Sequence, residues 1–220
     1  MAVGVKICGL TRPEDAVAVA EAGADFAGLV FHPASPRHVS REVALAIADR
    51  LRERVRIVAL LVDPSEDKLD EVITAARPDF IQLHGVEPPK RVAEIRASRG
   101  IPVIKAVSIS EEEDFDCVPA YEAVADMLLF DSKAAAGTRS GGRGHAFDWQ
   151  LLRNRVINRP WLLAGGLNVR NVADAIATAG APAVDVSSGV ESAPGIKKRE
   201  AIRSFIEAAR ATKRATGEPV

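Results

Sequence analysis

The chain has 220 residues, of which 47% are hydrophobic and 27% are charged, a globular composition with enough apolar material for one core. Its net charge of -1 gives no indication of a nucleic-acid or membrane partner, and no apolar run approaches the ~18 residues of a membrane span. The N-terminal sequence lacks the pattern of a signal peptide, and Cys8 and Cys117 are not spaced as a CxxC pair. We therefore expect a cytoplasmic protein with reduced thiols.

Eight short apolar runs, rich in β-branched residues, recur along the chain. Their starts are separated by about 22 to 35 residues, which leaves room for a loop, a helix and a return turn between successive strands. Most runs are continuously apolar, as in parallel strands that are covered on both faces. The predicted strands are Val3–Cys8, Asp25–Phe31, Val55–Val62, Asp79–Leu83, Ile101–Val107, Ala125–Asp131, Pro160–Gly165 and Ala183–Ser188.

Helix signals lie between these strands. Thr11 and Glu14 have the spacing of a capping box before an alanine- and valine-rich run, and Gly23 is predicted to end that helix. Further N-caps are predicted at Ser40, Asp63, Ser110 (with Glu113) and Asn168, Gly180 is predicted to end the helix after Asn168, and the last helix is predicted over Lys198–Lys213.

Repeated strand–helix units predict an α/β fold, a single-domain (β/α)8 TIM barrel over residues 1–214 with a frayed tail at 215–220. The absence of a G-x-G-x-x-G motif after the first strand weakens the alternative of an open, dinucleotide-binding sheet. Ser132–Phe147 is the longest segment without regular signals and contains several glycines. It follows the sixth strand, where a barrel places an active-site loop.

Polar residues at the carboxyl ends of the strands are the candidate catalytic groups, because barrel active sites lie at that end. Cys8 ends the first predicted strand and Asp131 ends the sixth. A thiolate can abstract a carbon-bound proton, and a carboxylic acid can donate one. The alternatives are a small buried residue for Cys8 and a cap or turn residue for Asp131.

Strand alternation places Lys6 on the same face as Cys8, and Asp185 on the same face as Ser187. If Cys8 faces the barrel axis, Lys6 does too, and a buried ammonium needs a partner. The first and eighth strands are neighbours in a closed barrel. We therefore predict an ion pair between Lys6 and Asp185 inside the barrel.

Two glycine-containing clusters follow the seventh and eighth strands. Gly165 and Gly166 form the first, and Ser188 and Gly189 the second. Backbone N–H groups in such loops bind phosphate, and barrels often place a phosphate site there. The alternative is a pair of ordinary tight turns.

Other polar residues near strand ends have less specific interpretations. Arg37, in the loop after the second strand, can hold a carboxylate bidentately, or it can be a solvated loop arginine. His32, His84 and Asp131 are candidate metal ligands, but their spacing fits no ligand motif. We therefore predict that the protein binds no metal.

Together, strings across nearly the whole chain resemble the phosphoribosylanthranilate isomerase family of tryptophan biosynthesis. The matching strings are Lys6-Ile7-Cys8-Gly9-Leu10-Thr11, Gly28-Leu29-Val30-Phe31, Ser35-Pro36-Arg37, Gln82-Leu83-His84-Gly85, Phe130-Asp131-Ser132, Gly141-Gly142-x-Gly144 with Phe147-Asp148-Trp149, Ala164-Gly165-Gly166-Leu167 and Val184-Asp185-Val186-Ser187-Ser188-Gly189-Val190-Glu191. One departure is Arg143, since the family's flexible loop commonly has threonine at that position.

The resemblance implies an Amadori rearrangement of N-(5-phosphoribosyl)anthranilate to the corresponding 1-deoxyribulose 5-phosphate. It implies Cys8 as the general base, Asp131 as the general acid and Arg37 as a contact to the anthranilate. We also expect His84 and Asp185 to contact the substrate. The reaction involves no redox change, so no cofactor is expected. The chemistry requires the pKa of the acid to be raised and that of the thiol to be lowered toward neutral.

Two other functions are the main alternatives. The first is the phosphosugar isomerase of histidine biosynthesis, which uses aspartates at both strand ends, so Cys8 argues against it. The second is a non-catalytic phosphosugar-binding barrel, which would not require both Cys8 and Asp131. The expected partner is a small phosphosugar, and the expected assembly is a monomer or a homodimer.

Overall fold

The computed structural model of the chain describes residues 2–132 and 148–212. Within these residues eight parallel strands close into a barrel, in which each strand pairs with the next and β8 pairs with β1. The predicted (β/α)8 fold class is therefore confirmed. The strands are β1 (Gly4–Cys8), β2 (Phe26–Val30), β3 (Arg56–Leu61), β4 (Phe80–Leu83), β5 (Val103–Ile109), β6 (Met127–Ser132), β7 (Trp161–Leu163) and β8 (Ala183–Val186).

All eight predicted strands exist, but several of their ends differ from the prediction. β5 continues to Ile109 because its last residues pair with the end of β6. β7 stops at Leu163, since the backbone turns at Gly165 and Gly166 with φ of 85° and 65°. β8 stops at Val186 because a 3-10 helix begins at Ser188.

Helices cover the outside of the barrel. The α-helices are α1 (Pro13–Ala22), α2 (Arg41–Leu51), α3 (Glu66–Ala76), α4 (Pro89–Arg99), α5 (Val118–Glu122), α6 (Val172–Ala179) and α7 (Arg199–Ala211), and the 3-10 helices are Glu112–Phe115, Trp149–Leu152 and Ser188–Val190. The described residues between β6 and β7 thus form only a 3-10 helix, not the α-helix that eight regular repeats predict. An unpredicted antiparallel hairpin of β9 (Glu191–Ala193) and β10 (Ile196–Lys197) separates β8 from α7.

Most of the predicted glycine-rich loop (133–147, with Arg143) and the predicted tail (215–220) lie outside the described residues. The single-domain assignment of residues 1–214 stays a prediction. Among the described residues, no helix combines the length and the apolar composition that a membrane-spanning segment requires.

The helix ends test the predicted caps. Ser40 caps α2 by accepting a hydrogen bond from the Val43 N–H, as predicted, and Gly23 and Gly180 end α1 and α6 in the left-handed conformation. The Thr11–Glu14 box is wrong, because α1 begins at Pro13 after Arg12 and the Thr11 hydroxyl donates to the Gly195 carbonyl instead.

The other predicted caps are displaced by one to three residues. Ser65, and not Asp63, caps α3, and Asn171, and not Asn168, precedes α6. The box at Ser110 and Glu113 forms one residue later, between Glu111 and Asp114. The last helix begins at Arg199 and ends at Ala211, inside the predicted range.

The apolar core formed by the described residues has two parts. The larger part lies between the strands and the surrounding helices. A smaller cluster inside the barrel consists of Phe26, Val58, Ile104, Ala106, Leu129, Leu162 and Ala164. Charged and polar side chains of the strands are also buried, namely Lys6, Gln82, Lys105 and Asp185.

Candidate active site

The two candidate proton-transfer residues lie at the same end of the barrel. Cys8 is the last residue of β1, and Asp131 is the last but one of β6. Because all eight strands are parallel, their carboxyl ends form one rim. The structure therefore brings Cys8 and Asp131 to the rim where barrel enzymes carry their active sites.

Cys8 occupies a tight position beside β2. Its residue is 5% exposed, and it pairs in register with Gly28. A Cβ at position 28 would lie 2.8 Å from the Cys8 Sγ, closer than van der Waals contact allows. Glycine on the neighbouring strand therefore provides the space for the sulfur.

The groups around Cys8 have opposing effects on the pKa of its thiol. Burial raises the pKa of the thiol, Lys6 and Lys197 act to lower it, and Asp185 adds to the rise, so that the pKa of Cys8 is raised above its ordinary value. The expectation of a lowered thiol pKa is thus wrong, because desolvation of the thiolate exceeds the attraction of the two ammonium groups.

The predicted ion pair between Lys6 and Asp185 is confirmed. The Lys6 Nζ lies 3.0 Å from the Asp185 Oδ1, and the two side chains are 0% and 9% exposed. Burial acts to lower the pKa of Lys6, but Asp185 and Cys8 more than offset this, and the pKa is raised. Lys6 therefore remains a cation below the sulfur of Cys8.

Arg37 is buried, at 7% exposure, and not the solvated loop residue of the alternative prediction. Its Nε and Nη2 donate to the two carboxylate oxygens of Glu191 at 2.8 and 2.7 Å. This bidentate contact raises the pKa of Arg37. One edge of the guanidinium is therefore occupied by a carboxylate of the protein, and Nη1 takes part in neither bond.

Glu191 and Lys197 are site residues that were not predicted from the sequence. The Lys197 Nζ donates to the Glu191 Oε1 at 2.8 Å and to the Ser187 carbonyl at 3.1 Å. Burial acts to raise the pKa of Glu191, but Arg37 and Lys197 lower it below its ordinary value. Glu191 could have been noticed as the last residue of a matching string, whereas a lysine just before a helix gives no comparable signal.

His84 connects β4 to Asp131. Its Nε2 lies 3.4 Å from the Asp131 Oδ2, and its Nδ1 lies 2.9 Å from the Gln82 Nε2. The other carboxyl oxygen of Asp131 accepts the backbone N–H of Ser132 at 2.8 Å. The orientation of the Asp131 carboxyl group is thus fixed from two sides.

A buried Lys105–Glu87 pair, also not predicted, supports the loop that carries His84. The Lys105 Nζ donates to the Glu87 Oε2 at 2.7 Å, to the Gly85 carbonyl at 2.7 Å and to the Leu83 carbonyl at 3.4 Å. Both side chains are 2% exposed. Lys105 thereby holds the backbone on either side of His84.

The glycine clusters after β7 and β8 pack against each other. A Cβ at Gly189 would lie 2.0 Å from the Leu167 carbonyl oxygen, and a Cβ at Gly165 would lie 2.8 Å from the Ser132 backbone nitrogen. No hydrogen bond between described residues uses the N–H of Gly165, Gly166, Ser188 or Gly189. These four donors are therefore available to an anion at the rim.

The described residues contain no group of three or more His, Cys, Asp or Glu side chains that could hold a metal ion. His84 and Asp131, two of the candidate ligands, contact each other instead.

Comparison with known proteins gives one consistent match. Residues 5–208 match the family model of N-(5'-phosphoribosyl)anthranilate (PRA) isomerase. The chain is 52% identical over 213 residues to the N-(5'-phosphoribosyl)anthranilate isomerase of Paracoccus denitrificans (strain Pd 1222), which covers 96% of this chain and 98% of that relative.

Two solved structures are similar over almost their full length. One contains monomers of the dimeric phosphoribosylanthranilate isomerase from Thermotoga maritima, with a TM-score of 0.81, 38% identity, and coverage of 95% of this chain and 99% of that one. The other is a phosphoribosylanthranilate isomerase in complex with reduced 1-(o-carboxyphenylamino)-1-deoxyribulose 5-phosphate, with a TM-score of 0.81, 38% identity, and coverage of 95% and 99%.

Proposed function

Because the chain belongs to the phosphoribosylanthranilate isomerase family of tryptophan biosynthesis, we propose that Cys8 and Asp131 are the general base and the general acid of its isomerisation. The observation that carries this proposal is their position at the carboxyl ends of β1 and β6, on one rim of the barrel. The matching family is neither the phosphosugar isomerase of histidine biosynthesis nor a non-catalytic phosphosugar-binding barrel.

The reaction follows from two proton transfers. Asp131 in its protonated form donates to the furanose ring oxygen, and the C1–O bond breaks to give an iminium ion stabilised by the anthranilate nitrogen. Cys8 as the thiolate then removes the proton from C2, and the electron pair of that C–H bond neutralises the iminium to an enolamine. Tautomerisation of the enolamine gives the ketone. These steps break the ring C1–O bond and transfer protons without any external oxidant or reductant, so the reaction requires no cofactor.

The phosphate of the substrate binds in this proposal to the N–H groups of Gly165, Gly166, Ser188 and Gly189. Their lack of partners among the described residues supports this assignment. Binding energy from the phosphate, remote from the reacting carbons, positions the sugar between acid and base.

The anthranilate carboxylate is assigned to Arg37, through the guanidinium edge that Glu191 leaves free. His84 and Asp185 complete the proposed substrate contacts. His84 is half-buried beside Asp131, and Asp185 lies below Cys8 in the pair with Lys6. The ligand in the related complex, which carries both a carboxylate and a phosphate, supports two anion sites of this kind.

The partner in this proposal is a small phosphosugar, and the chain acts as a monomer or a homodimer, which sedimentation equilibrium distinguishes. The proposed location is the cytoplasm. Cys8 and Cys117 are both free thiols, and a catalytic thiol is best preserved in a reducing compartment.

The decisive experiment measures the decrease in fluorescence as freshly prepared phosphoribosylanthranilate is consumed. We expect Cys8→Ser and Asp131→Asn each to lower kcat by about 10²-fold or more, because each removes one proton-transfer group. Cys117→Ser and Asp116→Asn are matched controls at exposed positions, and they should retain wild-type kcat. Wild-type turnover in Cys8→Ser would end the assignment of the base.

A further inference from the structure

Gln82 is a polar residue in the barrel interior. A contribution to the stability of the fold does not explain why a polar residue lies there. Its side chain points inward from β4 and is fully buried, at 0% exposure. The Oε1 atom accepts no hydrogen bond from the described residues. A buried carbonyl without a partner is destabilising, whereas methionine or leucine would fill a similar volume without that penalty.

The other end of the same amide contacts His84. The Gln82 Nε2 lies 2.9 Å from the His84 Nδ1. An amide nitrogen carries hydrogens and has no acceptor function, so Nδ1 must be the acceptor. The proton of the neutral imidazole then lies on Nε2, the atom that faces the Asp131 Oδ2 at 3.4 Å.

This tautomer determines what His84 can do to Asp131. With hydrogen on Nε2, the neutral imidazole donates toward Asp131 and has no lone pair there to accept the proton of the acid. In the opposite tautomer the Nε2 lone pair would compete with the ring oxygen of the sugar for that proton. It would also repel the carboxylate that remains after proton transfer.

We propose that Gln82 is a positioning residue that fixes the Nε2–H tautomer of His84 and thereby directs the proton of Asp131 to the substrate. The proposal rests on the role of Asp131 as general acid. The contact of Nε2 with His84 fixes the orientation of the Gln82 amide. In this orientation the Oε1 atom has no hydrogen-bond partner among the described residues.

The test combines nitrogen NMR of the histidine side chains with kinetics. In uniformly ¹⁵N-labelled protein, the His84→Asn spectrum assigns the His84 signals among those of the four histidines. We expect the wild type to show a protonated Nε2 and an unprotonated Nδ1. Gln82→Glu offers only an acceptor to Nδ1 when ionised, so it should move the proton to Nδ1.

The matched variant Gln82→Met removes the amide at nearly constant volume. We expect a mixture of His84 tautomers, a decrease in kcat of about tenfold with little change in KM, and a Tm no lower than that of the wild type. A residue with a structural role alone would lower Tm and leave the tautomer unchanged.

Two results would overturn the proposal. The first is an Nδ1–H tautomer in the wild type, which requires no variant to detect. The second is wild-type kcat in both Gln82→Met and Gln82→Glu. Failure of the proposed function can be distinguished from failure of this proposal. Unchanged turnover in Asp131→Asn would show that Asp131 is not the general acid, whereas the tautomer of His84 is measured independently by NMR in the wild type.

Discussion

The sulfur of Cys8 illustrates how a single residue combines opposing forces. Burial and Asp185 favour the thiol, whereas Lys6 and Lys197 favour the thiolate. The net direction is a raised pKa, so the resting protein holds mainly the thiol at neutral pH. The cations limit the penalty of ionisation without removing it, and the active thiolate is a minor form.

This balance predicts the pH dependence of catalysis. An acid with a raised pKa ionises at higher pH than usual, so the base-dependent limb of kcat/KM should still be rising above the ordinary cysteine value of about 8.5. The measurement is kcat/KM against pH for phosphoribosylanthranilate, with Cys117→Ser as the control that should give the same profile. A limb that is already level near neutral pH would contradict the raised pKa.

At the level of the elements, the β9–β10 hairpin attaches the end of β8 to the start of α1. The Lys197 N–H donates to Asp15, Arg12 donates to the Lys197 carbonyl, and the Thr11 hydroxyl donates to the Gly195 carbonyl. The hairpin thereby places Glu191 and Lys197 beside Arg37. An element that adds little to the barrel itself thus orients a proposed substrate-binding residue.

Glu191→Gln tests this role of the hairpin. The change keeps the size of the side chain but removes the charge that orients Arg37. We expect KM for phosphoribosylanthranilate to rise about tenfold, as for loss of a charge-assisted hydrogen bond, with a smaller change in kcat. Glu200→Gln, at an exposed position of α7, makes the same change in net charge and should leave KM unaltered. Equal KM values in both variants would argue against the hairpin's role.

For the molecule as a whole, closure of the barrel brings together residues from opposite ends of the chain. Lys6 and Asp185 are 179 positions apart, yet they pair in register on β1 and β8. The pair lies inside the barrel and links the first strand to the last. Removal of one partner leaves the other charge buried without compensation.

We therefore expect Lys6→Met to decrease the free energy of unfolding by about 3–5 kcal/mol. The double variant Lys6→Met/Asp185→Leu removes both charges and should recover most of that loss, because well-packed apolar residues can replace a buried ion pair. Urea unfolding monitored by circular dichroism measures both. If the double variant is no more stable than Lys6→Met, burial of the unpaired Asp185 carboxylate is not the cause of the lower free energy of unfolding.

The amino-acid pattern alone was enough to predict the barrel, the order of its strands and the strand-end positions of Cys8 and Asp131. These features follow from runs of apolar residues and from the alternation of side chains along a strand, which act over a few residues. The same alternation, combined with closure of the barrel, was enough to predict the Lys6–Asp185 pair. Helix starts were less predictable, because several residues near each start could cap and backbone geometry selected between them.

The charges that meet at the rim could not be predicted in this way, because they come together only in the folded chain. The contacts of Arg37 with Glu191, of His84 with Asp131 and of Lys105 with Glu87 join different strands and loops. The raised pKa of Cys8 likewise depends on burial and on charges from other parts of the chain. Such interactions act over a few ångströms in space and leave no periodic pattern in the sequence, so they are fixed only when the strands are packed side by side.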